Sequence, residues 1–159
     1  MNKRLVIEAI IARLGDDLEI LCKAARASHA EATHESSKAE NKYDTRGLEA
    51  SYLADGQVRQ AEETELTIVQ FQRLSPPNFK PTDPVDIGAL VEVKCKNSTS
   101  FYFIGPRGGG VEVEVDGKDI VVLTPHAPLG KMLIGRQPGA RFKFGTGAKA
   151  VEYSIVSIR

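Results

Sequence analysis

Hydrophobic positions follow two different periods along this chain, and the period changes in a proline-rich stretch. From Lys3 to about His34, Val6, Ile10, Leu14, Leu18, Leu21, Ala25 and Ala32 recur at helical spacing and share one stripe. Ala24, Ala25, Ala27, Ala30 and Ala32 raise helix propensity and permit close approach of a second helix. Gly15, followed by Asp16 and Asp17, leaves two readings open: a continuous arm, or one broken or kinked there with Asp16 capping a new start. A second helix-patterned stretch runs from about Thr45 to Leu74, with Leu48, Tyr52, Val58, Ala61, Leu66, Ile68, Val69 and Phe71 as its apolar positions. Gly47 and Gly56 weaken it by roughly 1 kcal/mol each against Ala, which packing against a partner helix must offset. Two arms joined by the polar residues 35–44 predict an antiparallel helical hairpin.

Ser75–Pro84 then carries four prolines in ten residues, which ends the second helix and stiffens the chain. Beyond it the period becomes two. Strands are predicted at Ala89–Cys95, Ser100–Ile104, Val111–Val115, Lys118–Leu123, Ala140–Phe144 and Val151–Ile158. Asp116-Gly117 is a strong hairpin signal. Pro128–Ile134 predicts one short helix, with Pro128 near its start and Gly135 after its end. The predicted class is α+β: residues 1–75 as a coiled-coil hairpin with a polar, acidic tip, 76–84 as a linker, and 85–159 as an antiparallel sheet with one short helix.

Composition sets few limits on this picture. The chain has 159 residues, 42% hydrophobic and 26% charged, as expected of a soluble globular protein. Basic and acidic residues balance at 21 each, so no global field advertises nucleic acid. Residues 1–75 carry 10 Lys/Arg against 13 Asp/Glu, and the remainder 11 against 8, so an acidic arm joins a mildly basic module. Cys22 and Cys95 lie far apart without a CxxC neighbour, which excludes a cysteine-rich zinc site and fits a reducing cytoplasm. No apolar run has the length of a membrane span, and the N-terminal run is interrupted by Glu8 and Arg13, unlike a signal peptide.

Candidate chemistry is sparse. There is no GxSxG, HExxH or phosphate-cradling GxxxxGK[ST] pattern. Gly105–Gly110 is glycine-rich but opens no helix, so a plain hairpin loop is expected there rather than a phosphate site. His29 and His34 read as solvated helix residues, and His126 has no partner triad. Glu35, Glu40 and Asp44 form an exposed carboxylate group at the hairpin tip, suited to solvation or to a hard cation such as Mg²⁺. In Pro125–Gly135, Leu129, Leu133 and Met132 read as the helix face that covers the sheet. Pro125, Pro128 and Ile134 cannot all point inward as well, which makes this segment a candidate partner surface.

The segment Thr124–Arg136 (TPHAPLGKMLIGR), with Gly139–Phe144 and the closing Val151–Ile158, resembles the C-terminal domain of bacterial Gre transcript cleavage factors. Glu40-Asn41 followed by Tyr43 on a hairpin tip resembles their N-terminal coiled coil. The resemblance spans nearly the whole chain in domain order. It implies an FKBP-like sheet domain that docks at the rim of the RNA polymerase secondary channel while the coiled coil enters the channel. It implies further that tip carboxylates help hold a Mg²⁺ ion in the polymerase's own active site for cleavage of backtracked nascent RNA. That Mg²⁺ is shared with the polymerase and is not expected on the isolated protein.

On this resemblance Glu40 is the first metal-facing and catalytic candidate, with Asp44 and Glu35 as helpers; Pro125, Pro128, Leu129 and Ile134 are the docking candidates. The chain departs from the family pattern at the tip. Ser37 stands at the Asp position, and Lys42 runs directly into Tyr43, one residue short, placing a repulsive charge beside any cation. The expected protein is a cytoplasmic monomer and not an enzyme, at most a donor of carboxylates to the polymerase. Its contact with nascent RNA and DNA is indirect, and no membrane partner is expected. One alternative is a non-cleaving channel regulator of the Rnk type. A more remote one is a peptidyl-prolyl isomerase, which would need an aromatic pocket.

Overall fold

The computed structural model describes residues 2–34, 46–96, 98–145 and 150–159. Its elements in chain order are α1 (Lys3–Thr33), α2 (Arg46–Arg73), β1 (Leu90–Cys95), β2 (Ser98–Ile104), β3 (Glu112–Val115), β4 (Lys118–Leu123), α3 (Pro128–Leu133), β5 (Arg141–Phe144) and β6 (Val151–Ile158). The class is α+β: a long helical N-terminal region followed by a six-stranded, mostly antiparallel sheet with one short helix. The chain forms two compact units, Met1–Arg13 with Val69–Arg159, and Leu14–Ile68. Both long helices therefore contribute to both units, and the ends at Arg13 and Val69 group with the sheet.

In the sheet unit the strand order is β3-β4-β2-β1-β6-β5. β1 lies centrally, antiparallel to β2 and β6, with its register against β6 shifting between Glu92 and Val93. β3 and β4 form the predicted hairpin. Asp116 and Gly117 both take positive φ, 56° and 68°, the backbone of a type I′ turn.

One pairing departs from the expected all-antiparallel sheet. β2 and β4 run parallel, Phe101–Ile104 beside Ile120–Leu123. The glycine-rich residues 105–110 are therefore not a hairpin loop. They carry the chain past the position β4 will fill, so that β3 turns back and lays β4 beside β2. Gly105 is buried in this passage, and a Cβ there would stand 2.8 Å from Phe71 Cζ.

Both faces of the sheet carry apolar packing. One face holds Val91, Val93, Ile104, Phe142, Ile155 and Ile158, together with Leu133 of α3. On the other, Phe103, Ile120 and Val122 are fully buried. Phe71, from the last turn of α2, lies against Phe103 with ring centroids 6.1 Å apart and a tilt of 39°.

In the helical unit α1 buries its predicted stripe, with Leu14 and Ala25 inside and Leu18, Leu21 and Ala32 half-buried. It passes through Gly15 without a break, so the arm is one continuous helix over Lys3–Thr33. For α2 the predicted apolar positions divide: Phe71 is buried and Ala61, Ile68 and Val69 are half-buried, but the four others are exposed. Ala50, Ala54, Gln57, Ala61, Thr64 and Thr67 recur at helical spacing as its less exposed side. Leu48, Tyr52, Val58 and Leu66 face solvent, Tyr52 at 68% exposure. Small side chains let helices approach closely, and the inner polar groups are satisfied. Ser28 Oγ donates to Gln57 Oε1 at 3.0 Å, and Thr67 Oγ1 donates to the Glu63 carbonyl at 2.8 Å. Hydrophobicity alone does not fix the inner side of α2, because its phase is set by the small and hydrogen-bonded side chains.

Phe71→Ala should lower unfolding free energy by about 3–5 kcal/mol in urea denaturation, because the cavity lies between helix end and sheet. Gly15→Ala should raise it by about 0.5–1 kcal/mol, since a helical glycine is replaced with no steric penalty. Nothing lies within 4 Å of a Cβ at Gly15. A destabilised Gly15→Ala protein would show that the helix needs that glycine.

Candidate functional site

The segment singled out by resemblance forms the β4–α3 connection and α3 itself. Thr124 follows β4, and its carbonyl accepts from Ala127 N–H at 3.1 Å. Ala127 caps α3 in extended backbone without a side-chain cap, and Pro128 occupies the first turn, where its missing N–H costs nothing. A Cβ on Gly130 would stand 2.0 Å from the Thr124 carbonyl oxygen. The helix can fold back onto its own connection only because residue 130 is glycine.

The far end of α3 is fastened as closely. Gly135 takes φ 76° and donates its N–H to Val85 O, while Val85 N–H donates to Arg136 O. Arg136 Nε donates to the Met132 carbonyl, and its guanidinium stands over the Phe142 ring, 5.1 Å from the centroid. Gln137 Nε2 donates to Thr82 O at 2.9 Å. Residues 82–85 are thus bonded to the helix exit, a fixed segment that the prolines alone did not foretell.

Of the four docking candidates, only Pro128 is exposed. Pro125 is half-buried, and Leu129 and Ile134 are half-buried with part of each packed on the core beside Met132. The free surface of the segment is therefore His126, Pro128, Lys131 and Gly135, rimmed by what remains uncovered of Pro125, Leu129 and Ile134. Glu35, Glu40 and Asp44, with Ser37 and Lys42, lie outside the described residues. Among the described residues no group of three or more His, Cys, Asp or Glu could hold a metal ion. His29, His34 and His126 are all exposed. Among the described residues no helix is long and apolar enough to cross a membrane.

One cluster was not anticipated from the pattern. Tyr153 stacks on Phe142 at 5.6 Å and meets Phe144 edge-on at 6.2 Å. Its register partner across the strands is Cys95. The signal was present as alternate aromatic positions on β5 and β6, but strand pairing was needed to bring Cys95 beside them. Burial, then the hydrogen bond to Cys95, holds the Tyr153 phenol above its ordinary value of 10.0.

No family model matches the chain, and no curated protein matches it. Several solved structures are similar to it. The GreA factor homolog 1 (Gfh1) protein of Thermus thermophilus shares 19% identity with a TM-score of 0.39 over 95% of each chain. Gfh1 of Thermus aquaticus shares 17%, with a TM-score of 0.39 over 95% of this chain and 94% of that one. A prokaryotic transcription elongation factor GreA/GreB from Nitrosomonas europaea shares 16%, with a TM-score of 0.34 over 60% of this chain and 78% of that one. At these identities and scores nothing about site or activity is carried from them to this chain.

Two outcomes test the site's construction. Gly130→Ala should destabilise the fold by about 2 kcal/mol or more, read as a lowered urea midpoint, because the backbone must shift. A phenol pKa raised in the folded state favours its neutral form there. That stabilisation is complete below the unfolded value near 10 and is lost as pH rises through the folded value. Tyr153→Phe should accordingly flatten the decline of thermal stability at alkaline pH; an unchanged decline would remove Tyr153 as its source.

Proposed function

We propose that this chain is a Gre-type, RNA-polymerase-binding transcription factor that works through the polymerase secondary channel. The observation that carries this reading is the Thr124–Arg136 segment. The residues that resemble the Gre docking domain form one fastened connection and helix, with Pro128, His126 and Lys131 on its free side. A loop whose shape is imposed by Gly130, Val85 and Arg136 presents its surface at low ordering cost, as a docking surface requires.

The helical unit supports the same reading. Several of its large apolar residues on α2 are exposed: Leu48 and Tyr52, one helical turn apart, are 55% and 68% exposed, and Leu53 is 56% exposed. Such residues suit an arm that works inserted in a partner. An arm of this kind has little core of its own for catalysis, so the chain is proposed as a non-enzyme that acts on the polymerase.

Transcript cleavage is the finer part of the proposal and rests on the tip sequence alone. Glu40 would be the principal oxygen donor toward a Mg²⁺ shared with the polymerase, with Asp44 and Glu35 as helpers. Such a cation, when bound, supplies a more acidic water and stabilises charge on the cleaved phosphodiester. Ser37 and Lys42 weigh against strong cleavage, so the second reading is a channel regulator of the Rnk type that binds without cleaving. The isomerase alternative has little to stand on. It needs an open aromatic pocket, whereas Phe142, Phe144 and Tyr153 pack on one another.

A stalled, backtracked polymerase supplied with Mg²⁺ tests these readings together. Shortening of the nascent RNA that disappears in Glu40→Ala with Asp44→Ala is the cleavage outcome. Competition with an authentic Gre factor without shortening leaves the regulator. Failure to bind polymerase at all sinks both. Pro128→Ala with Lys131→Glu should weaken polymerase binding by about tenfold, given loss of an exposed anchor and reversal of a charge.

A further inference from the structure

The first turns of α1, the last turn of α2 and the proline-rich segment after it enclose an open groove of about 850 Å³. All its lining residues belong to the sheet unit. Ligand sites for small molecules commonly occupy about 300–1,000 Å³. Ile11 and Leu74 supply half-buried apolar wall, and Lys3, Arg4 and Arg159 supply cations. Glu8 is the groove's acid, one turn beyond Arg4.

Lys3 is the informative residue. It is half-buried, yet its partners are neutral: its ammonium donates to the Pro77 carbonyl and stands over the Phe79 ring, 4.7 Å from the centroid. No carboxylate pairs with it among the described residues. Burial accordingly pushes its pKa below the ordinary lysine value. A carbonyl dipole and a ring face orient an ammonium but carry no compensating charge. Two guanidinium-bearing side chains line the same groove, and guanidinium forks match phosphate or carboxylate oxygens in paired hydrogen bonds.

We propose that this groove binds a small amphipathic anion, with a phosphate or carboxylate head held by Lys3, Arg4 and Arg159 and an apolar body against Ile11 and Leu74. The groove shares no residue with the α3 segment or the hairpin tip. Glu8 opposes the ligand's charge and limits affinity.

Titration of the full chain with naphthyl phosphate, naphthoate, inorganic phosphate and naphthol, followed by calorimetry, tests it. The two aromatic anions should bind saturably. Inorganic phosphate and naphthol should each bind about tenfold or more weakly, since each lacks one half of the recognition. The relative strength of naphthyl phosphate and naphthoate assigns the head group. Arg4→Gln with Arg159→Gln, both exposed in the folded chain, should weaken the aromatic anions about tenfold while the circular dichroism spectrum stays unchanged. Glu8→Gln should tighten them by about two- to fivefold. The proposal is overturned if neither aromatic anion saturates, if the arginine variants bind as the parent does, or if inorganic phosphate alone binds as tightly.

Discussion

Phe71 is the point on which the sheet unit's second face depends. It is fully buried, lies against Phe103, and reaches so close to Gly105 that no side chain larger than hydrogen fits there. Its ring ties the last turn of α2 to the strand that leads into the crossover. Burial of a phenylalanine side chain contributes about 1.5–3 kcal/mol from area alone. Here it also sets where the glycine-rich passage must start and how near the helix end can come. The requirement at Gly105 is steric, not a matter of loop flexibility.

A similar economy governs the docking candidate. Its conformation does not come from a conventional helix cap, since Ala127 has no side chain to provide one. The Thr124 carbonyl, the missing Cβ of Gly130, the Val85 backbone bonds and Arg136 hold it. Residues with apolar side chains in this segment divide their surface between core and solvent, which is why Leu129 and Ile134 serve packing as well as any partner. A substitution at either position would mix folding with recognition, whereas Pro128 and Lys131 are exposed and report recognition more cleanly.

Much of the fold was legible because both periods are strong. Every predicted strand and all three predicted helices are present, with ends shifted by two residues or fewer. The reading failed where phase or pairing mattered. On α2 Leu48, Tyr52, Val58 and Leu66 lie on the solvent side, while Ala54, Gln57 and Thr67 form the inner side through tight approach and satisfied hydroxyl and amide groups. For residues 105–110 local composition fitted a hairpin, and only the parallel pairing of β2 with β4 revealed a crossover. The pairing of Cys95 with Tyr153 and the cationic groove at Lys3 were not legible, because each assembles residues distant in sequence.

By itself, the sequence determined the elements, their order, the type I′ turn at Asp116-Gly117 and the short proline-started helix. These depend on local backbone preference and on periodicity, which a one-dimensional pattern encodes. Tertiary structure alone decided the strand order, the inner side of α2, the division of Pro125, Pro128, Leu129 and Ile134 between core and surface, and the partners left to Lys3. Those outcomes depend on which distant groups meet, because desolvation, steric exclusion and ladder pairing act between residues that only folding brings together.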